Sequence, residues 1–163
     1  MIFDLQTFTL IHIVISVVGI ITGLVVAGGL VAGVKLNSWT VIFLATTVLT
    51  SITGYGFPVP QISPAQIVGG LSLIVLAIAL AARYWKKLQG KWRATYVVSA
   101  IFALYLNVFV LVAQLFAKTP ALIQLAPTQK EPPFAVTQAL VIALFVWLGS
   151  AALRGFKSEK TSS

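Results

Sequence analysis

A chain of 163 residues that is 59% hydrophobic and only 9% charged, yet carries a formal charge of +8, is too apolar for water to be its main solvent; soluble domains run roughly 45–50% apolar and about 25% charged. Its Lys and Arg residues lie between apolar runs rather than across a polar surface, which argues against nucleic acid as a partner and for loops held at one face of a bilayer. Zero cysteines exclude disulfides, thiolate metal sites, iron–sulfur clusters and a cysteine nucleophile.

Hydrophobic runs of about 20 residues, the length needed to cross roughly 30 Å of hydrocarbon, recur five times. They predict an all-α, membrane-embedded bundle of five transmembrane helices, a single domain over residues 1–155 followed by a short polar tail at 156–163. The first span, 8–34, is too long for the apolar region of a secretory signal, and its leader holds Asp4 and no basic residue, so it reads as a retained helix. Gly19 and Gly23, then Gly29 and Gly33, fall four apart on single helix faces, a pattern that lets a neighbouring backbone come close and favours internal packing.

After a tight turn beside Lys35, the second span, 39–57, is the most polar: Thr46, Thr47, Thr50, Ser51 and Thr53 can bond to carbonyls of the preceding turn. Gly54, Gly56 and Pro58 close it. The third span, 65–84, follows a short uncharged loop. Residues 83–93 then carry Arg83, Lys86, Lys87, Lys91 and Arg93 with Tyr84, Trp85 and Trp92, the composition of a segment at the lipid interface, its rings among the headgroups and its cations toward anionic lipid. The fourth span, 95–117, places Asn107 and Gln114 on one face with Ala100 and Ala103. The longest loop, 118–133, leads to the fifth span, 134–153.

Orientation follows from Lys and Arg, which resist translocation. Lys35, the five cations of 83–93, Arg154, Lys157 and Lys160 fall on one side, and only Lys118 and Lys130 on the other. The basic side is expected in the cytoplasm, with the N-terminus outside and the C-terminus cytoplasmic.

Polar groups inside a bilayer are costly, so their placement is the best functional clue. His12, the single histidine, lies about four residues inside the first span, roughly 6 Å deep at about 1.5 Å per residue. His12, Thr50, Asn107 and Gln114 are candidates to line an outward-facing ligand-binding pocket, with Glu131 in the loop above as its lid; the competing role for the same groups is interhelical hydrogen bonding. Gln66 and Gln138 lie at similar depth. A bis-histidine haem needs a second axial ligand, zinc needs more ligands than His12, Asp4 and Glu131 offer, and a triad of Ser16 with His12 lacks an acid within any span. No cofactor and no catalysis by this chain alone are therefore expected.

The polar segment 43–58 and the loop Ala126-Pro127-Thr128-Gln129-Lys130-Glu131-Pro132-Pro133-Phe134 resemble parts of a family of small polytopic bacterial inner-membrane proteins without assigned activity. The resemblance extends over most of the chain and implies a multi-pass protein of the bacterial cytoplasmic membrane, and nothing about ligand or reaction. The expected function is an accessory subunit or an outward-facing module that binds a small ligand or a membrane-protein partner. The alternatives are a small-solute transporter or channel acting as a homo-oligomer, a homodimer foremost, and a quinone- or haem-associated redox subunit.

Overall fold

The structure, a computed structural model, describes residues 4–157; residues 1–3 and most of the expected polar tail, Lys160 included, lie outside them. Among the described residues the regular structure is entirely helical: α1 (Leu5–Ala32), α2 (Asn37–Thr53), α3 (Pro64–Leu80), α4 (Lys91–Lys118), the short α5 (Pro120–Leu125) and α6 (Pro132–Gly155). Five helices are long and apolar enough to cross a membrane, with α2 extended by a 3₁₀ turn, Gly54–Gly56, and α3 by a π-helical turn, Ala81–Trp85. The five expected spans coincide with them. The loop at 118–133 also contains α5, which Pro120 starts from the first-turn position where a missing N–H costs nothing.

Local chemistry sets the ends. Asp4 caps α1 by accepting from the Thr7 N–H at 3.4 Å, and Gly33, at φ +76°, ends it in the left-handed conformation that lacks a Cβ penalty. Ser63 and Gln66 form a reciprocal capping box at the start of α3, with Pro64 as its first residue. Pro132 and Pro133 occupy the first turn of α6.

Helix α4 lies at the centre and packs against α1, α2, α3 and α6, while α1 also meets α2 and α6. Its buried stripe, Tyr96, Val97, Ala100, Ala103 and Leu104, is joined by Phe43 and Leu44 of α2, Leu76 and Ala79 of α3, and Val26, Ala27 and Leu30 of α1. Large apolar residues such as Leu10, Ile21, Ile74, Leu140 and Val146 remain exposed on the outside of the bundle. That surface would be a liability in water and suits a hydrocarbon solvent.

Two glycines explain how closely the helices approach. A Cβ on Gly23 would stand 2.5 Å from Leu104 Cδ1 and 2.9 Å from the Phe43 ring, so α1, α2 and α4 converge there only because the side chain is absent. At the other crossing, a Cβ on Gly155 of α6 would run into the Val31 carbonyl of α1. Gly19, Gly23 and Gly29 are all buried within this chain, which is the internal-packing use of the spacing.

The two ends of the bundle differ in character. One gathers the start of α1, the 3₁₀ turn and the loop before α6, with His12, Phe57 and Glu131. The other gathers Lys35, the turn 86–90 and the end of α6, and to its half of the bundle belong all four tryptophans, Trp39, Trp85, Trp92 and Trp147.

Candidate functional site

Helix α2 carries its hydroxyls toward α1 and α4. Thr46, Thr47 and Ser51 each donate to a carbonyl one turn back, at 2.7, 2.7 and 2.9 Å, so the helix satisfies its own polar groups without water. Thr50 is the exception: its Oγ is buried and has no partner among the described residues.

Thr53 donates to the Leu49 carbonyl at 2.7 Å and also lies 2.8 Å from His12 Nδ1. A threonine hydroxyl has one proton; assigned to the Leu49 carbonyl, it leaves the oxygen to accept from His12. On that assignment Nδ1 carries the hydrogen. In the neutral ring Nε2 is then an unprotonated acceptor, and it has no hydrogen-bond partner among the described residues.

An aromatic ring packs on this imidazole, and a second backs the first. Phe57 meets it edge to face at a centroid distance of 5.1 Å, and Phe8 meets Phe57 at 5.0 Å. The Phe8 ring lies over Gly56, where a Cβ would come within 2.6 Å of it. The turn that ends α2 thus has a second consequence: its glycine makes room for the Phe8 ring, which backs the Phe57 ring against His12. Phe8 and Phe57 were not among the residues singled out from sequence, although Phe8 precedes His12 by one helical turn.

The structure brings some candidates together and separates others. Asn107 of α4 points to the same seam, its Nδ2 3.5 Å from Thr47 Oγ1, but opposite Gly19, two turns along α1 from His12. Gln114 is half-buried and makes no side-chain hydrogen bond among the described residues. Glu131 is directed into its own loop: its carboxylate accepts from Thr128 Oγ1 at 2.7 Å and from the N–H groups of Thr128 and Lys130 at 3.2 and 3.0 Å. The Thr128 hydroxyl, chiefly, holds the Glu131 carboxyl below its usual range. What fastens this loop to the bundle is Gln129, at φ +58°, whose amide donates to the Ala113 carbonyl of α4 at 2.8 Å. Gln138, at matching depth on α6, is buried; its Nε2 donates to the Phe109 carbonyl at 3.2 Å and its Oε1 has no partner among the described residues.

The seam closes below Asn107. There Phe43 and Leu104 fill the space against Gly23, and both are essentially inaccessible.

At the opposite end the basic segment is a tight turn between helices. Lys86 lies over Trp85 and Trp92, 5.5 and 5.4 Å from the ring centroids, and Trp85 is 78% exposed. Lys87 and Lys91 are exposed; Arg93 donates to the Lys157 carbonyl at 3.0 Å and stacks on Phe156. Lys87, Gln89, Arg93 and Lys157 share a shallow cleft of about 600 Å³. Arg83 is buried, unlike the other cations of the segment, because α3 continues through it as the π turn and it prolongs the buried stripe of Leu76 and Ala79; only 8% of its surface is accessible.

No protein-family model, curated protein or solved structure matches this chain.

Proposed function

We propose that this chain is a multi-pass protein of the bacterial cytoplasmic membrane that binds a small ligand or a membrane-protein partner at its His12 end, with that end outside and the basic end in the cytoplasm. The observation that carries the reading is the 2.8 Å contact of His12 Nδ1 with Thr53 Oγ1, which orients the ring and leaves Nε2 without a partner among the described residues, next to Phe57 with Phe8 packed behind it. An apolar wall with one oriented polar atom is the composition of a binding site. Catalysis is not part of the reading, since the only side chain bonded to His12 among the described residues is a threonine, which supplies no acid or base.

The closure of the seam at Phe43, Leu104 and Gly23 favours binding over passage of a solute through one copy. The nine-to-two division of Lys and Arg supports the orientation.

A photo-crosslinking amino acid in place of Phe57, in intact cells, tests this. The expected result is an adduct absent when the same probe replaces Ile74, an exposed apolar position on α3, and lost when His12→Ala is combined with the Phe57 probe. Identical adducts from both positions would mean that Phe57 meets only bulk lipid, and the reading would fall. An absorption spectrum of the same purified protein with visible bands would favour the redox alternative.

A further inference from the structure

Arg83 is a buried cation with no carboxylate partner among the described residues. Guanidinium groups are almost never buried unless paired, because removing the charge from water costs several kcal/mol. Among the described residues the acids are Asp4 and Glu131, and both sit at the far end of the bundle, bonded to Thr7 and to Thr128 with Lys130. What surrounds Arg83 is neutral. Nη2 donates to Asn37 Oδ1 at 2.6 Å, and the guanidinium carbon lies 5.2 Å from the Tyr96 ring centroid and 5.6 Å from that of Tyr84. Tyr96 is fully buried, with its hydroxyl enclosed beside Thr40 and Arg83.

These contacts hold the guanidinium from its faces and one nitrogen. The remaining nitrogens have no hydrogen bond among the described residues, yet none of them is a fully enclosed orphan like the Tyr96 hydroxyl, so the edge they form keeps an opening to the surface. Asn37 contributes to that edge. Its oxygen is committed to Arg83, so its exposed amide nitrogen is left as a donor beside the guanidinium. Asn37 is also the first residue of α2, a 17-residue helix whose N-cap, Leu36, offers no side-chain acceptor to the first-turn N–H groups.

The free groups along this edge, the guanidinium nitrogens and the Asn37 amide, are donors, and the net charge is positive. We propose that the open edge of the Arg83 guanidinium, flanked by the Asn37 amide and the start of α2, binds a phosphate group, supplied by a phospholipid headgroup or by free phosphate. The planar guanidinium matches two phosphate oxygens at once, which an ammonium does not. A helix N-terminus adds N–H groups and a favourable dipole for the same charge. The site is independent of the His12 end and stands or falls without it.

The test uses the full chain, purified and delipidated in a maltoside detergent, titrated at constant ionic strength with short-chain phosphatidylglycerol or with inorganic phosphate, and read by the thermal unfolding midpoint. Saturable stabilisation is expected, weakened at least about tenfold in Arg83→Gln, since a hydrogen-bonded charge is lost. Response to phosphatidylglycerol alone identifies a headgroup site; response to both identifies a site for phosphate itself. If neither probe gives saturable stabilisation, or Arg83→Gln matches the wild type, the proposal is overturned. Because Arg83→Gln could fail to fold, Asn37→Asp provides a second reading. It places a carboxylate against Arg83, so it should melt above the wild type without phosphate and respond at least about tenfold more weakly to either probe. An Asn37→Asp protein that responds like the wild type overturns the proposal equally.

Discussion

Gly155 of α6 crosses α1 directly over the carbonyl of Val31, with no space for a methyl group between them. The contact ties the last turn of one helix to the last turn of another, so the backbone itself would have to move to accommodate any side chain. Gly155→Ala is expected to destabilise the bundle by about 1–3 kcal/mol, the usual cost of overpacking. Gly28→Ala is the control: a Cβ there meets nothing within 4 Å, and the change should be neutral or stabilising by at most about 1 kcal/mol. Unfolding midpoints of the two variants in one detergent check both; equal midpoints would show that the α1–α6 crossing yields freely.

The orientation of His12 makes a spectroscopic prediction. Nitrogen-15 NMR of labelled protein above pH 8 should show Nδ1 protonated and Nε2 bare. Thr53→Ser should preserve that pattern and Thr53→Val should abolish it, at a stability cost of about 0.6 kcal/mol, the average for interhelical hydrogen bonds in membranes. A dominant Nε2–H tautomer in the wild type would sink the assignment of donor and acceptor, and with it the argument that Nε2 is free for a ligand.

Fold and site were legible to different depths. The five spans follow from hydropathy because backbone in lipid must bond to itself, so long apolar runs have few alternatives to a helix. The glycine stripe was legible for the same reason: spacing by four admits one face only. Arg83 was hidden by composition. Read with its neighbours it belongs to an aromatic and basic interface segment; read by period it follows Leu76 and Ala79 on the buried face of α3. Glu131 shows another limit. Proline-rich sequence locates the loop, but only coordinates show its carboxylate turned back to Thr128 and Lys130 while Gln129 grips Ala113.

Glu131 should report its own turn by pH. Its carboxyl is held below the ordinary value, about 4.3 for glutamate, because the Thr128 hydroxyl and neighbouring N–H groups donate to the ionised form. A depressed folded pKa means the turn is fully favoured above the unfolded value and loses that support as pH falls through the folded one. The Thr128 amide resonance should therefore titrate with a midpoint below the free-glutamate value and lose the transition in Glu131→Gln. A midpoint at or above that value would mean the turn does not hold the charge.

Orientation can be checked directly. Reporters fused after Ser163 or inserted in the turn 86–90 should read cytoplasm, and one inserted between Pro127 and Lys130 should read the outer side. A cytoplasmic signal from the last position would overturn the proposed topology.

With every tryptophan in the basic half of the bundle, the intrinsic fluorescence of the protein is a one-sided instrument. Trp39 lies two residues from Asn37, and Trp85 and Trp92 flank the Lys86 ammonium, so emission responds to polarity and charge where the helices turn near Arg83. The rings around His12 are phenylalanines, which are dark at tryptophan excitation. An unlabelled sample can therefore assign an event to one end of the molecule by whether its light changes, and a single tryptophan at Phe57 would make the silent end visible.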